Sequence, residues 1–140
     1  MESMTALTLE ANNRRQVADW LLEDDTWTVA CLCAAWCDTC QAYRATFDAL
    51  AARHPRQHFI WIDIEDQADV VDDFEVENFP TLLIQRGARV AFFGIVLPEL
   101  RVAERLLLAQ FEKSDAELAA ASANNIVPDL RQRLIDTLDR

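Results

Sequence analysis

Eight consecutive residues, Trp27-Thr28-Val29-Ala30-Cys31-Leu32-Cys33-Ala34, carry no charge and only one hydroxyl. A strand this apolar along its whole length must be covered on both faces, the usual state of a parallel strand between two helix layers. Phe59-Ile60-Trp61-Ile62-Asp63-Ile64 reads as a second strand of the same kind, and Ala6-Leu7-Thr8-Leu9 as a short third. Thr81-Leu82-Leu83-Ile84-Gln85 and Arg89-Val90-Ala91-Phe92-Phe93-Gly94 flank Arg86-Gly87-Ala88, a hairpin in which Gly87 supplies the positive φ of the turn.

Between these strands the hydrophobic spacing changes from two to three and four. Val17, Trp20 and Leu21 mark one face of a helix capped at Asn12 or Asn13 and closed by the polar turn Glu23-Asp24-Asp25. Tyr43, Phe47, Leu50 and Ala51 mark another that runs from Cys37 to Arg53 and stops at His54-Pro55. A short helix is predicted from Gln67 to Phe74. Pro98 opens one whose inner face carries Leu100, Ala103, Leu107 and Phe111. The predicted order is β-α-β-α-β-α-β-β-α, an α/β fold with a central mixed sheet flanked by helices. At 140 residues the chain suits one such domain, expected over 1–112, with a C-terminal helical extension over 113–140.

In that extension Ser114-Asp115-Ala116-Glu117 has the pattern of a capping box, Asn124-Asn125-Ile126-Val127-Pro128 reads as a break, and Asp129 to Leu138 as a last helix. Its stripe of Leu130, Leu134, Ile135 and Leu138 must pack somewhere. Folding back on the domain is the expectation, and a homodimer through this helix is the alternative.

All four cysteines, Cys31, Cys33, Cys37 and Cys40, fall within this strand and the head of the helix that follows. A disulfide scaffold would spread its cysteines to tie distant segments together, so local clustering points to redox chemistry or a metal. Cys37-Asp38-Thr39-Cys40 has the i, i+3 spacing that brings helical Cα atoms within roughly 5 Å, inside the range a disulfide can close. A thiol at the helix N-terminus meets free N–H groups and the positive end of the macrodipole, both of which favour a thiolate. The spacing therefore yields an attacking thiol, Cys37, and a more shielded resolving thiol, Cys40.

At these residues the sequence resembles the thioredoxin family. The matching residues are Ala35-Trp36-Cys37-Asp38-Thr39-Cys40, then Phe79-Pro80-Thr81 before an apolar strand, and Gly94 after the hairpin; the likeness spans about 6–112. It implies a thioredoxin-like fold and a redox-active Cys37–Cys40 disulfide, with no cofactor beyond it. Cys37 would be the nucleophile and Cys40 would resolve the mixed disulfide. Trp36, Asp38 and Thr39 would border the site, Pro80 would be a cis-proline facing the cysteines, and the backbone of Phe79 would pair with an extended substrate segment. The departures are as informative. Asp38-Thr39 replaces the Gly-Pro usual between the cysteines. The buried aspartate expected by position is Cys31, its neighbouring lysine is Trp61, and the helix proline is Ala45. A proton shuttle for Cys40 is then missing or replaced, with Asp63 or a water as candidates.

Cys31 and Cys33 share one strand face by alternation, and buried small hydrophobes is the simpler reading of both. The sharper one makes Cys31 a third redox thiol. Four soft ligands could also hold zinc or an iron–sulfur cluster, but two on a strand and two on a helix converge poorly on a tetrahedron, so no metal is expected.

The chain is acidic, with 24 Asp and Glu against 13 Lys and Arg, a net charge of −11. Such a surface repels phosphate backbones and anionic lipid, which argues against nucleic-acid and membrane partners. From Asp63 to Glu77 stand eight acids, Asp63, Glu65, Asp66, Asp69, Asp72, Asp73, Glu75 and Glu77, and no Lys or Arg occurs from Gln57 to Gln85. They form a solvated face or a surface that recruits basic substrates. His54 and His58 lie at the wrong end of the helix to activate Cys37. Trp20, Trp27 and Trp61 read as core. Met1-Glu2-Ser3-Met4 lacks the features of a secretion signal, so a cytoplasmic location is expected.

The sequence thus predicts a thiol–disulfide oxidoreductase, a protein-disulfide reductase serving cell redox homeostasis. It would act on protein disulfides and be restored by an external thiol reductant. The alternative is a binding module or chaperone-like adaptor on the same fold, with little turnover.

Overall fold

Every residue from Trp27 to Cys33 is buried, because this strand, β2 (Trp27–Cys33), lies at the centre of a five-stranded sheet. The structure is a computed structural model and describes residues 6–23, 25–124 and 128–138. The segment Met1-Glu2-Ser3-Met4, Asp24 of the predicted polar turn, and the centre of the predicted break at 125–127 lie outside them. Around β2 run β1 (Leu7–Thr8), α1 (Arg14–Trp20), α2 (Asp38–Arg53), β3 (His58–Asp63), α3 (Ala68–Val71), β4 (Thr81–Arg86), β5 (Arg89–Ile95), α4 (Leu100–Phe111), α5 (Asp115–Asn124) and α6 (Leu130–Leu138). The spatial order is β1-β3-β2-β4-β5. β1, β3 and β2 are parallel, β4 is antiparallel to β2, and β5 to β4. This is the α/β architecture with a mixed sheet that the hydrophobic periodicity predicts. Gly87 takes φ 59° in the β4–β5 turn, the left-handed conformation that glycine adopts without penalty.

Alternation along β2 sorts its residues onto two faces. Val29, Cys31 and Cys33 join Phe59 of β3 and Leu82 and Ile84 of β4 against Tyr43, Phe47 and Leu50 of α2 and Ala103 and Leu107 of α4. On the other side Ala30 and Leu32 join Ile60, Ile62 and Leu83 against Val17 and Leu21, Val70 of α3, and Leu130 and Leu134 of α6. α2 is unbroken through Ala45, as expected without the helix proline.

The extension folds back on the domain. The Ser114 hydroxyl accepts from the Glu117 N–H at 3.1 Å and the Glu117 carboxylate accepts from the Ser114 N–H at 2.9 Å, the reciprocal capping box predicted for the start of α5. Leu130 and Leu134 are fully buried. Gln85, buried in β4, locks the start of α6: its amide donates to Asp129 at 2.8 Å and its carbonyl accepts from the Leu130 N–H at 3.2 Å. Arg133 adds ion pairs to Asp72 at 2.8 Å and Asp73 at 3.2 Å. Leu130, Leu134 and Leu138 of the α6 stripe pack on their own chain, against α1 and α3, while Ile135 lies outside that cluster.

Candidate active site

The β2–α2 corner is built by local rules. β2 ends at Cys33, the chain turns, and Cys37 is the N-cap of α2 with extended φ −88° and ψ 120°. Its N–H donates to the Ala34 carbonyl and its carbonyl accepts from the Gln41 N–H, both at 3.1 Å. The Gln41 side chain reaches back to the Ala35 carbonyl at 2.7 Å, a brace on the turn. Cys37 is a free thiol, half-buried, with Asp38 and Thr39 exposed beside it and Cys40 facing inward at 1% exposure. Asp38 stands in the first turn of α2, where a carboxylate complements the helix dipole.

Across the turn, the Phe79–Pro80 bond is cis. The Trp36 ring, 65% exposed, meets the Phe79 ring edge-on with centroids 5.6 Å apart, so the cysteine turn and the cis-proline loop form one surface. The Pro80 carbonyl accepts from the Val96 N–H at 3.2 Å, which holds the loop to the end of β5. The Trp36–Phe79 contact thus joins the turn that carries Cys37, Asp38 and Thr39 to the cis-proline loop, in which Pro80 itself is buried.

The covalent pairing departs from expectation. The bridge joins Cys33 to Cys40, with Cα atoms 5.7 Å apart, and Cys37 is not part of it. The expected Cys37–Cys40 disulfide treats both residues as helical. Cys37 instead caps the helix on extended backbone, while Cys40 in the first turn points inward at the last residue of β2. Alternation places Cys33 on the α2 side, so reading it as a buried small hydrophobe is overturned. The sequence signal was available: a cysteine at a strand's end, on the face covered by the helix that follows.

Cys31 is a free thiol at 0% exposure, its sulfur 3.9 Å from that of Cys33. Because the bridged Cys33 carries no S–H, Cys31 is the donor. Burial pushes the Cys31 thiol well up, and the Arg44 cation opposes this only in part. Arg44 lies over the Trp61 ring at 5.2 Å and donates to Thr8 and to the Ala6 carbonyl. A cation on α2 therefore stands near the position where the family resemblance places an acid and a lysine. Neither Arg44 nor its reach was evident from spacing. The Tyr43 hydroxyl is buried with no hydrogen-bond partner among the described residues; burial, then Cys31, pushes the phenol up. Asp63, beside Cys33 in the β2–β3 register, turns its carboxylate to the N–H groups of Glu65 and Asp66.

The acidic segment is partly neutralised from elsewhere in the chain. Arg14 forms a bidentate pair with Asp69, and Arg133 takes Asp72 and Asp73. Glu75 and Glu77 are exposed on the approach to Phe79. His54 and His58 bind Glu104 at 2.7 Å and Glu23 at 2.9 Å, beyond the far end of α2, roughly 24 Å from Cys37 at the helical rise. Trp27 is core; Trp20 stacks on His58 and Trp61 packs on Phe47. Among the described residues no group of three or more His, Cys, Asp or Glu is placed to hold a metal ion, and none of the helices is long and apolar enough to cross a membrane.

Known proteins share both the sequence pattern and the fold. Thioredoxin H2-1 of Oryza sativa subsp. japonica is 32% identical over 54 residues, 39% of this chain and 39% of its own length. Human thioredoxin is 29% identical over 71 residues, 50% of this chain and 68% of its own length. The match spans well under half the length of the first curated relatives, at 36% and 39%. Among solved structures, poplar thioredoxin h superposes with a TM-score of 0.68 at 17% identity, covering 79% of this chain and 99% of that one, which speaks for the fold alone. The thioredoxin family model matches residues 6–95. With the central mixed sheet, the cis Phe79–Pro80 bond and the cysteine corner already in place, the chain belongs to the thioredoxin family.

Proposed function

We propose that this protein is a thiol–disulfide oxidoreductase that reduces protein disulfides at Cys37. The observation that carries the reading is the free, half-exposed Cys37 thiol at the N-cap of a 16-residue helix, in a turn that Trp36 joins to Phe79, the residue before the buried cis-Pro80. Disulfide exchange starts when a thiol sulfur reaches a disulfide, and Cys37 is the free cysteine among the described residues that is open to solvent. Cys37 forms a mixed disulfide with the substrate, and one substrate thiolate leaves. Cys40 then attacks Cys37 and releases the second, leaving a Cys37–Cys40 bridge. An external thiol reductant restores the dithiol. Ferredoxin:thioredoxin reductase, crystallised with thioredoxin f2, and the yeast peroxiredoxin resolved through glutathione and thioredoxin systems exemplify reductant and substrate classes.

The adaptor reading is favoured by one observation: Cys40 is engaged by Cys33, which leaves Cys37 without its resolving thiol. Insulin-disulfide reduction with Cys37→Ser and Cys40→Ser decides between them. Turnover lost in both variants is the expected result. Absent turnover in the wild type, with client binding that survives both substitutions, establishes the adaptor.

A further inference from the structure

Cys33 is the residue that neither the helix-tip chemistry nor the family pattern employs, yet it is the one bonded to Cys40. Its Cα stands 5.7 Å from that of Cys40, an ordinary disulfide separation, and Cys40 also lies three residues from Cys37. Cys40 is thus flanked by two possible partners, one half-exposed and one buried at 1% exposure. Cys31 contributes a buried S–H 3.9 Å from the Cys33 sulfur, where it can donate to a thiolate as that thiolate forms.

We propose that Cys33 is a third redox thiol, which moves the disulfide inward after each turnover and returns Cys37 as a free thiol. The proposal rests on the oxidoreductase reading above. The step is internal exchange: the Cys33 thiol gives up its proton and attacks the Cys40 sulfur of the Cys37–Cys40 bridge. The Cys33–Cys40 bond forms, the Cys37–Cys40 bond breaks, and Cys37 leaves as a thiolate that takes up the proton. One disulfide exists before and after, so nothing is oxidised or reduced; the two oxidising equivalents came from the protein disulfide already reduced. The oxidised protein then displays an attacking thiol whose resolving partner is engaged. A second substrate disulfide is captured on Cys37 as a mixed disulfide and held until a reductant opens Cys33–Cys40.

The experiment uses the full chain, reduced, desalted, and mixed with one equivalent of insulin as disulfide donor. A parallel sample receives oxidised glutathione. Aliquots are acid-quenched over time, alkylated with N-ethylmaleimide and digested with chymotrypsin. Cleavage after Trp36 separates Cys31 and Cys33 from Cys37 and Cys40, and the slower cleavage after Leu32 tells Cys31 from Cys33. The expected result is an early bridge within the Cys37–Cys40 peptide, then a cross-link from it to the Cys33 peptide with Cys37 alkylated, in most molecules. In Cys33→Ser the early bridge persists and alkylation of Cys37 falls at least tenfold. Two results overturn the proposal: only the Cys37–Cys40 bridge at all times, with Cys33 alkylated; or a Cys33–Cys40 bridge already present in the reduced sample and unchanged throughout, a static brace. If insulin is not reduced, the oxidoreductase reading fails, and the glutathione sample still shows which bridge forms.

Discussion

The two faces of the sheet are built from the same materials and do different things. On one, β2 presents Val29, Cys31 and Cys33 to α2 and α4, and three of the four cysteines lie inside that core. On the other, Ala30 and Leu32 meet α1, α3 and α6 through aliphatic packing, closed at the rim by Arg14 and Arg133. The difference lies in what each face does with burial. The α6 face uses it for stability alone, whereas the α2 face uses it to hide three sulfurs behind a half-exposed fourth. Substitutions on the first face should alter chemistry, and those on the second stability.

The largest effect expected is on the α2 face. Cys37→Ser removes the proposed attacking thiol and should lower insulin reduction by more than a hundredfold, since a hydroxyl is no substitute for a thiolate in disulfide exchange. Its thermal midpoint should stay close to wild type, because Cys37 is half-buried and outside the bridge. The counterpart on the other face is Leu134→Ala, which empties a fully buried site. It should cost about 2–5 kcal/mol in denaturant titration with turnover per folded molecule unchanged. If activity falls with it, the two faces are coupled and the division is wrong.

Titration sharpens the contrast next. The buried Cys31 thiol and Tyr43 phenol both hold their protons more tightly in the folded protein than in the unfolded chain. Their stabilisation is complete below the ordinary thiol value near 9.0 and declines as pH rises beyond it, with Tyr43 joining above 10.0. The slope is at most about 1.4 kcal/mol per pH unit for each group. Cys31→Val should flatten the part that begins near pH 9 in denaturant titrations. No α6-face substitution should flatten it.

Smaller still, Arg133→Met deletes pairs to exposed acids and hydrogen bonds to the Val70 and Asp69 carbonyls, and should cost about 1–2 kcal/mol, only the ion-pair share of it weakening in high salt. The smallest expected effect concerns recruitment of basic substrates. With Asp69, Asp72 and Asp73 already paired to arginines, Glu75 and Glu77 are the acids nearest Phe79 along the chain and the ones placed to steer a partner toward it. A basic substrate should then react a few-fold more slowly as salt rises. A flat profile assigns the acidic segment to solubility and to holding α6.

The order of strands and helices was legible because each β-strand of the core is an uninterrupted apolar run and each long helix has a clean stripe. The capping box at Ser114 was legible for the same reason, as an interaction between residues three apart. Within the site, Trp36, Cys37 and the Phe79–Pro80 loop could be named from sequence, since one strand-to-helix junction and one family motif carry them. Gln85, which binds the start of α6, and Arg44, which lies over Trp61, could not. Each works across more than 15 residues of sequence, and local spacing says nothing about such contacts.

What the amino-acid order determined alone is where sulfur sits along the chain and which face of β2 Cys31 and Cys33 occupy, because side-chain alternation is a property of one strand. Which sulfur bonds to which was decided by tertiary structure. That choice depends on how the first turn of α2 is set over the end of β2, and a separation of 5.7 Å between Cys33 and Cys40 comes from packing a helix on a sheet rather than from spacing within either.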